Sequence, residues 1–218
     1  MKIRVNIDIK VGRLVKFFVI SDFFLLAGWG FIDPIFSVFI VQKIVGGTLI
    51  TVGIAAAIYW TLKSVLQIPI AKYLDRIPGE KDDLVALVGG LLLAGISAMA
   101  FSLVRTAGEL YFVQAVHAIA FAFYSAAWPA IFSRHLDKDR FAFDWSLDSV
   151  TVGLAAGTTG LLGGILAETQ GYTAVFLSAG VLSFIAAFVL IVAPDLILPK
   201  PNRGTPERIE HKEPELGM

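Results

Sequence analysis

The chain has no cysteine among its 218 residues, which excludes a disulfide framework and any thiolate metal site. Charge is scarce: Asp, Glu, Lys and Arg make up 17% of residues, and 18 basic side chains offset 18 acidic ones. A chain without net positive charge lacks the broad electrostatic footprint of a nucleic-acid binder, so no nucleic-acid partner is expected. There is no HExxH pair of zinc ligands, and neither a metal nor a cofactor is expected. The nearest approach to a Gly-x-Ser-x-Gly nucleophile is Gly95-Ile-Ser97-Ala-Met99, and His117, the one histidine inside an apolar run, has no catalytic neighbour in sequence. The chain therefore reads as a protein that is not an enzyme. Strand-like alternation is also missing from the apolar runs, and this excludes a membrane β-barrel.

What the chain has in excess is apolar surface: 56% of residues are hydrophobic and the mean hydropathy is +0.76. The excess is gathered into runs of about 20 or more residues, each long enough to cross a bilayer as a helix. The fold class is all-α integral membrane. Six spans are expected, at about Phe17–Val41, Thr48–Ile70, Leu84–Leu103, Leu110–Ser133, Trp145–Leu166 and Thr173–Val192. The first run is too long for a signal-peptide core and has no small-residue cleavage site, so it is expected to be retained. Lys and Arg between the spans number five, one, three, one, three, zero and four from the N-terminal arm to the tail. This unbroken alternation places both termini in the cytoplasm of a multi-pass plasma (inner) membrane protein. Three regions follow: a basic arm at 1–16, a six-helix membrane domain at 17–193 and a tail at 194–218. The arm alternates Ile3, Val5, Ile7, Ile9 and Val11 with polar residues, a period that fits either a short strand or an arm lying on anionic lipid. The tail combines five prolines with mixed charge and is expected to be a mobile cytoplasmic segment.

Polar residues inside such spans are costly and mark pathways or buried pairs. Asp22 and Asp33 lie eleven residues apart on one face of the first span, roughly 16 Å along its axis. Trp29 lies between them, and Pro34 predicts a break beside Asp33. In the second span Lys63 either snorkels to the interface or pairs with Asp22. In the fourth, Gln114, His117, Phe121, Tyr124 and Trp128 recur at steps of three and four, forming one polar-aromatic stripe. Asp144 and Asp148 open the fifth span one helical turn apart, where acidic residues suit the helix dipole. That span also carries Gly153, Gly157, Gly160 and Gly164, spaced four, three and four apart. Small residues at this spacing let another helix approach closely, a main source of attraction between helices in lipid.

Several stretches resemble the major facilitator superfamily of transporters. The loop Ala71–Lys81, AKYLDRIPGEK, carries Asp75 and Arg76 where the superfamily's Gly-x-Leu-Ala-Asp-Arg-x-Gly-Arg-Arg signature has its Asp-Arg core, although Ala71 replaces the first glycine and Glu80 takes a basic position. Trp128-Pro129 and the following basic loop resemble the end of the superfamily's fourth helix. Thr159–Gly164, TGLLGG, resembles the glycine ending of helix 5 in its drug antiporters without their Gly-Pro pair, and Ile165–Phe176 is similar to the connection into helix 6. The resemblance covers Phe17 to Val192.

A typical member has twelve helices in two similar halves, and this chain carries the pattern of one half. The resemblance implies a secondary transporter of a small solute, its substrate unidentified, acting as a parallel homodimer by alternating access and coupled to protons. Helix 5 of one subunit would meet Gly53 and Ala57 on helix 2 of its twin, and Asp75 and Arg76 would lie near the twin's Asp144 and Asp148. Asp22, Trp29, Asp33, Gln114, His117, Tyr124 and Trp128 would surround a shared cavity, with Lys63 nearby. Asp33 and His117 are the expected coupling residues. The other expectation is a non-transporting accessory subunit that pairs with a different transporter.

Overall fold

The computed structural model describes residues 11–193. The alternating arm, apart from its last residues, and the proline-rich tail lie outside the described residues. Among those described there are seven helices: α1 (Arg13–Ile32), α2 (Phe36–Lys43), α3 (Leu49–Arg76), α4 (Lys81–Phe101), α5 (Ala107–Arg134), α6 (Phe141–Gln170) and α7 (Tyr172–Ile191). Six are long and apolar enough to cross a membrane. The short α2 completes the first span, which breaks at Asp33–Ile35 around Pro34, whose missing N–H weakens the ladder there, whereas α3 and α5 continue through Pro69 and Pro129. The Asp75–Arg76 signature ends α3 instead of lying in a loop, and α6 begins four residues earlier than its apolar run, at Phe141. Gly171, at φ +86°, separates α6 from α7 in a backbone conformation that favours glycine.

The helices form an arc. Neighbouring pairs run α3–α5, α5–α4, α4–α7, α7–α1 and α1–α6, so α3 and α6 stand at its two tips, while side chains of α1 and of the start of α6 meet α5 across it. Backbones approach closely where small residues allow it. A Cβ on Gly90 of α4 would lie 2.9 Å from the Ala120 carbonyl of α5, and one on Gly180 of α7 would lie 2.9 Å from the Gly95 carbonyl of α4. Ser21 of α1 donates to the Ala186 carbonyl of α7 at 3.0 Å. Phe18, Phe101, Phe132 and Phe176 fill the interior and are fully buried. Burial is uneven around the arc. In their most apolar stretches 61% of α1 and 50% of α5 residues are buried, against 11% of α3 and 17% of α6.

The two ends of the bundle are fastened differently. At the end holding the loops after α2 and α4, Thr48 and Thr106 each cap their helix with a reciprocal box. Val45 donates to the Arg105 carbonyl at 2.9 Å and bridges to Thr106, tying these two loops together. At the opposite, basic end an ionic network joins the start of α4 to the end of α5. Arg134 reaches Asp83 at 2.5 Å and Glu80 at 3.4 Å, while His135 meets Glu80 at 2.8 Å. Both acids are buried at a helix N-terminus, where the dipole favours them.

Candidate functional site

The inner faces of α1, α3 and α5 build an aromatic stack. Trp29 and His117 lie almost parallel, with ring centroids 3.9 Å apart and 3° between planes. Tyr59 of α3 stacks on His117 at 4.5 Å, so the imidazole is layered between an indole and a phenol. Phe121 closes the stack edge-on, 4.9 Å from His117 and 5.2 Å from Trp29. Beside the stack lies a cavity of about 450 Å³ whose wall includes Asp33, Ser37, Trp60 and Gln114. This falls within the usual size range of small-molecule sites. Asp33 is the one charged residue on that wall, and it owes its exposure to the break after α1. Among the described residues, the Trp29 indole nitrogen, the Gln114 amide oxygen and both His117 ring nitrogens find no hydrogen-bond partner. All three residues are more than nine-tenths buried. Buried polar groups are normally paired, and one left alone costs roughly 1–3 kcal/mol.

A second constellation sits farther along α1 towards the basic end. Tyr124 of α5 donates its hydroxyl to Asp22. Asp148, on the stretch of α6 whose Trp145 packs on Trp128 of α5, is buried as well. Asp22 is 3% exposed and Asp148 7%, and one oxygen of Asp148 has no partner. Two carboxyl groups, on α1 and α6, are thus held away from water, one of them by a phenol from α5.

The stripe read from the fourth span is therefore divided by depth. Gln114, His117 and Phe121 line the cavity, Tyr124 serves Asp22, and Trp128 joins an aromatic packing cluster with Phe132 at 4.5 Å, Trp145 at 5.9 Å and Phe18 at 6.0 Å. Lys63 adopts neither expected arrangement in full: its ammonium lies over the rings of Trp60 at 5.1 Å and Tyr59 at 5.9 Å. Asp75 and Arg76 are exposed at the end of α3. Asp144 is fully buried and accepts the Asp137 N–H at 2.9 Å.

The glycines of α6 divide as well. A Cβ on Gly163 would strike the Phe31 backbone, 2.9 Å from its Cα, and Gly160 faces the Gly30 carbonyl at 3.7 Å. Gly153, Gly157 and Gly164 meet nothing within 4 Å, and neither does Gly53 on α3. Ala57 is likewise exposed. Tyr59 is a site residue that the sequence reading passed over. Its signal was present in the spacing Val52, Ala56, Tyr59, Lys63, a second stripe in steps of four, three and four.

Residues 18–216 match the family model described as Major Facilitator Superfamily. The chain belongs to this superfamily. An uncharacterized MFS-type transporter of Methanocaldococcus jannaschii is 26% identical over 206 residues, covering 93% of this chain and 51% of the relative. The chain thus spans about half the length of the curated relative it matches. The fold is similar to the in meso crystal structure of the POT family transporter PepTSo, with a TM-score of 0.72, 12% identity, and coverage of 89% of this chain and 40% of that one. At that identity the likeness concerns the fold alone. A multi-pass membrane transporter family, with one half's worth of helices in this chain, is what the resemblance in the sequence implied.

Proposed function

We propose that the chain is a secondary transporter of a small solute that works as a parallel homodimer of six-helix halves. The observation that carries this reading is the arc of helices. Its two tips, α3 and α6, are the least buried spans and expose glycines with open space before them. In lipid a small-residue face gains most from a close-packed partner helix. A two-fold axis along the membrane normal sets α3 of each subunit against α6 of its twin and closes both tips at once. The inner faces of α1 and α5 from both subunits then enclose a shared chamber, and rocking of the halves opens it to either side. Both termini lie in the cytoplasm of the plasma membrane, in line with the Lys and Arg alternation. Arg76 then lies near the partner's acidic α6 start.

Coupling to protons is the favoured source of energy. The Asp22–Tyr124–Asp148 group is the best built to hold and release a proton, with Asp33 and His117 beside the substrate cavity. The test uses the absence of cysteine as a clean background. Gly53→Cys combined with Gly157→Cys is expected to yield a disulfide-linked dimer in native-like lipid, and the purified protein to have the mass of two subunits. A single subunit in lipid, or a link only to a different protein, would replace this reading with the accessory one. Uptake into proteoliposomes across an imposed pH gradient then tests the coupling.

A further inference from the structure

The cavity's chemistry also bears on what it binds, and this step rests on the transporter reading above. Its wall is mostly ring faces and aliphatic side chains, from Leu26 and Trp29 through Tyr59 and Trp60 to Phe121, with a single charge, the Asp33 carboxylate. An anionic ligand would meet a like charge there, and the Lys63 ammonium, which lies over Trp60 and Tyr59, is not among the residues that line the cavity. Ring faces carry negative charge density and attract cations held within about 6 Å of the centroid, most of all where water is excluded. The molecule already uses two of these rings in that way: the Lys63 ammonium rests 5.1 Å from the Trp60 centroid and 5.9 Å from that of Tyr59. The side chain is a tethered cation parked on the outer part of the same aromatic wall.

From these features we infer that the cavity takes an organic cation, a substituted ammonium carrying apolar or aromatic groups, with Asp33 as its counter-ion and Trp29, Tyr59 and Trp60 as its walls. The unpaired groups beneath the stack fit this assignment. While His117 is layered between Trp29 and Tyr59, its nitrogens, the Trp29 N–H and the Gln114 oxygen have no partners. An ammonium that keeps an N–H can donate to the Gln114 oxygen or to a His117 nitrogen, so binding relieves part of the cost that these acceptors carry. Lys63 competes for the same rings and must swing away for the ligand to settle fully, so its removal improves cation binding.

The experiment measures binding to the full-length protein in lipid nanodiscs by calorimetry, separately from any transport. Three probes of similar size are compared: benzyltrimethylammonium, benzyl alcohol and benzoate. Saturable binding is expected for the cation, at least tenfold tighter than for the other two. Asp33→Asn is expected to weaken it tenfold or more, Asp33→Glu to restore most of the loss, and Lys63→Gln to tighten it severalfold. A folded wild-type protein that binds none of the three, binds benzoate or benzyl alcohol as tightly, or keeps its cation affinity in Asp33→Asn overturns the assignment. The two levels fail separately. Anion or neutral-solute binding and uptake would sink the cation class and leave the transporter, whereas saturable cation binding without uptake would sink the transporter and leave the site.

Discussion

Two sides of α6 use the same residue for opposite situations. On the inward side Gly163 lets the backbone of α1 come so near that any side chain would collide with Phe31, while Asp148 on the same helix is buried. On the outward side Gly153 and Gly157 face open space. A glycine in a helix interior costs up to about 1 kcal/mol relative to alanine. The inward glycine offsets that cost through packing inside the subunit. The outward ones meet no neighbour among the described residues, which is the gap that the proposed pairing would fill.

Substitutions separate the two sides, and their effects should fall in a clear order. Gly163→Leu should do the most harm, forcing α1 and α6 apart at about 3 kcal/mol or more. Thermal unfolding of the purified protein should show a much lower midpoint or no folded protein. Gly157→Leu should leave the melting of the subunit's own helices unchanged and weaken pairing by about 2 kcal/mol, read from subunit mass against dilution in lipid. If Gly157→Leu instead unfolds the subunit, the two sides are not distinct. Asp148→Asn keeps shape and removes only a charge. It should lower uptake driven by a pH gradient about tenfold, equivalent to about 1.4 kcal/mol, with little change in melting. The mildest should be Gly153→Ala, a change of a few tenths of a kcal/mol in pairing that helix propensity partly offsets, visible only in a careful titration of the dimer.

The same contrast explains what was legible in the sequence. Six spans were, because hydropathy and length are one-dimensional properties and the bilayer fixes the length. The break at Pro34 was too, because a missing N–H is a local fact. The glycine spacing revealed a helix with small faces but not which neighbour each face meets. Gly160 was grouped with Gly157 by phase, yet it sits over the Gly30 carbonyl, since choice of partner depends on the order of helices around the arc. Depth was also hidden. Gln114 and Trp128 share a stripe but lie fourteen residues apart, roughly 21 Å along the axis, so one lines the cavity and the other packs at the basic end. The bond from Tyr124 to Asp22 joins two helices far apart in sequence, and no spacing within one helix can announce it. Lys63 went to a third place, the rings of Trp60 and Tyr59, because aromatic faces offer a cation an alternative to water or a carboxylate.

The hydrogen bond from Val45 to Arg105 and the bridge to Thr106 have a practical use for anyone following this molecule in motion. The segments after α2 and α4 are stitched together, so the rocking proposed above should carry them as one body. Two spectroscopic labels, one on each segment, should keep a constant separation through a full working cycle. That pair is a built-in ruler against which every other displacement can be calibrated.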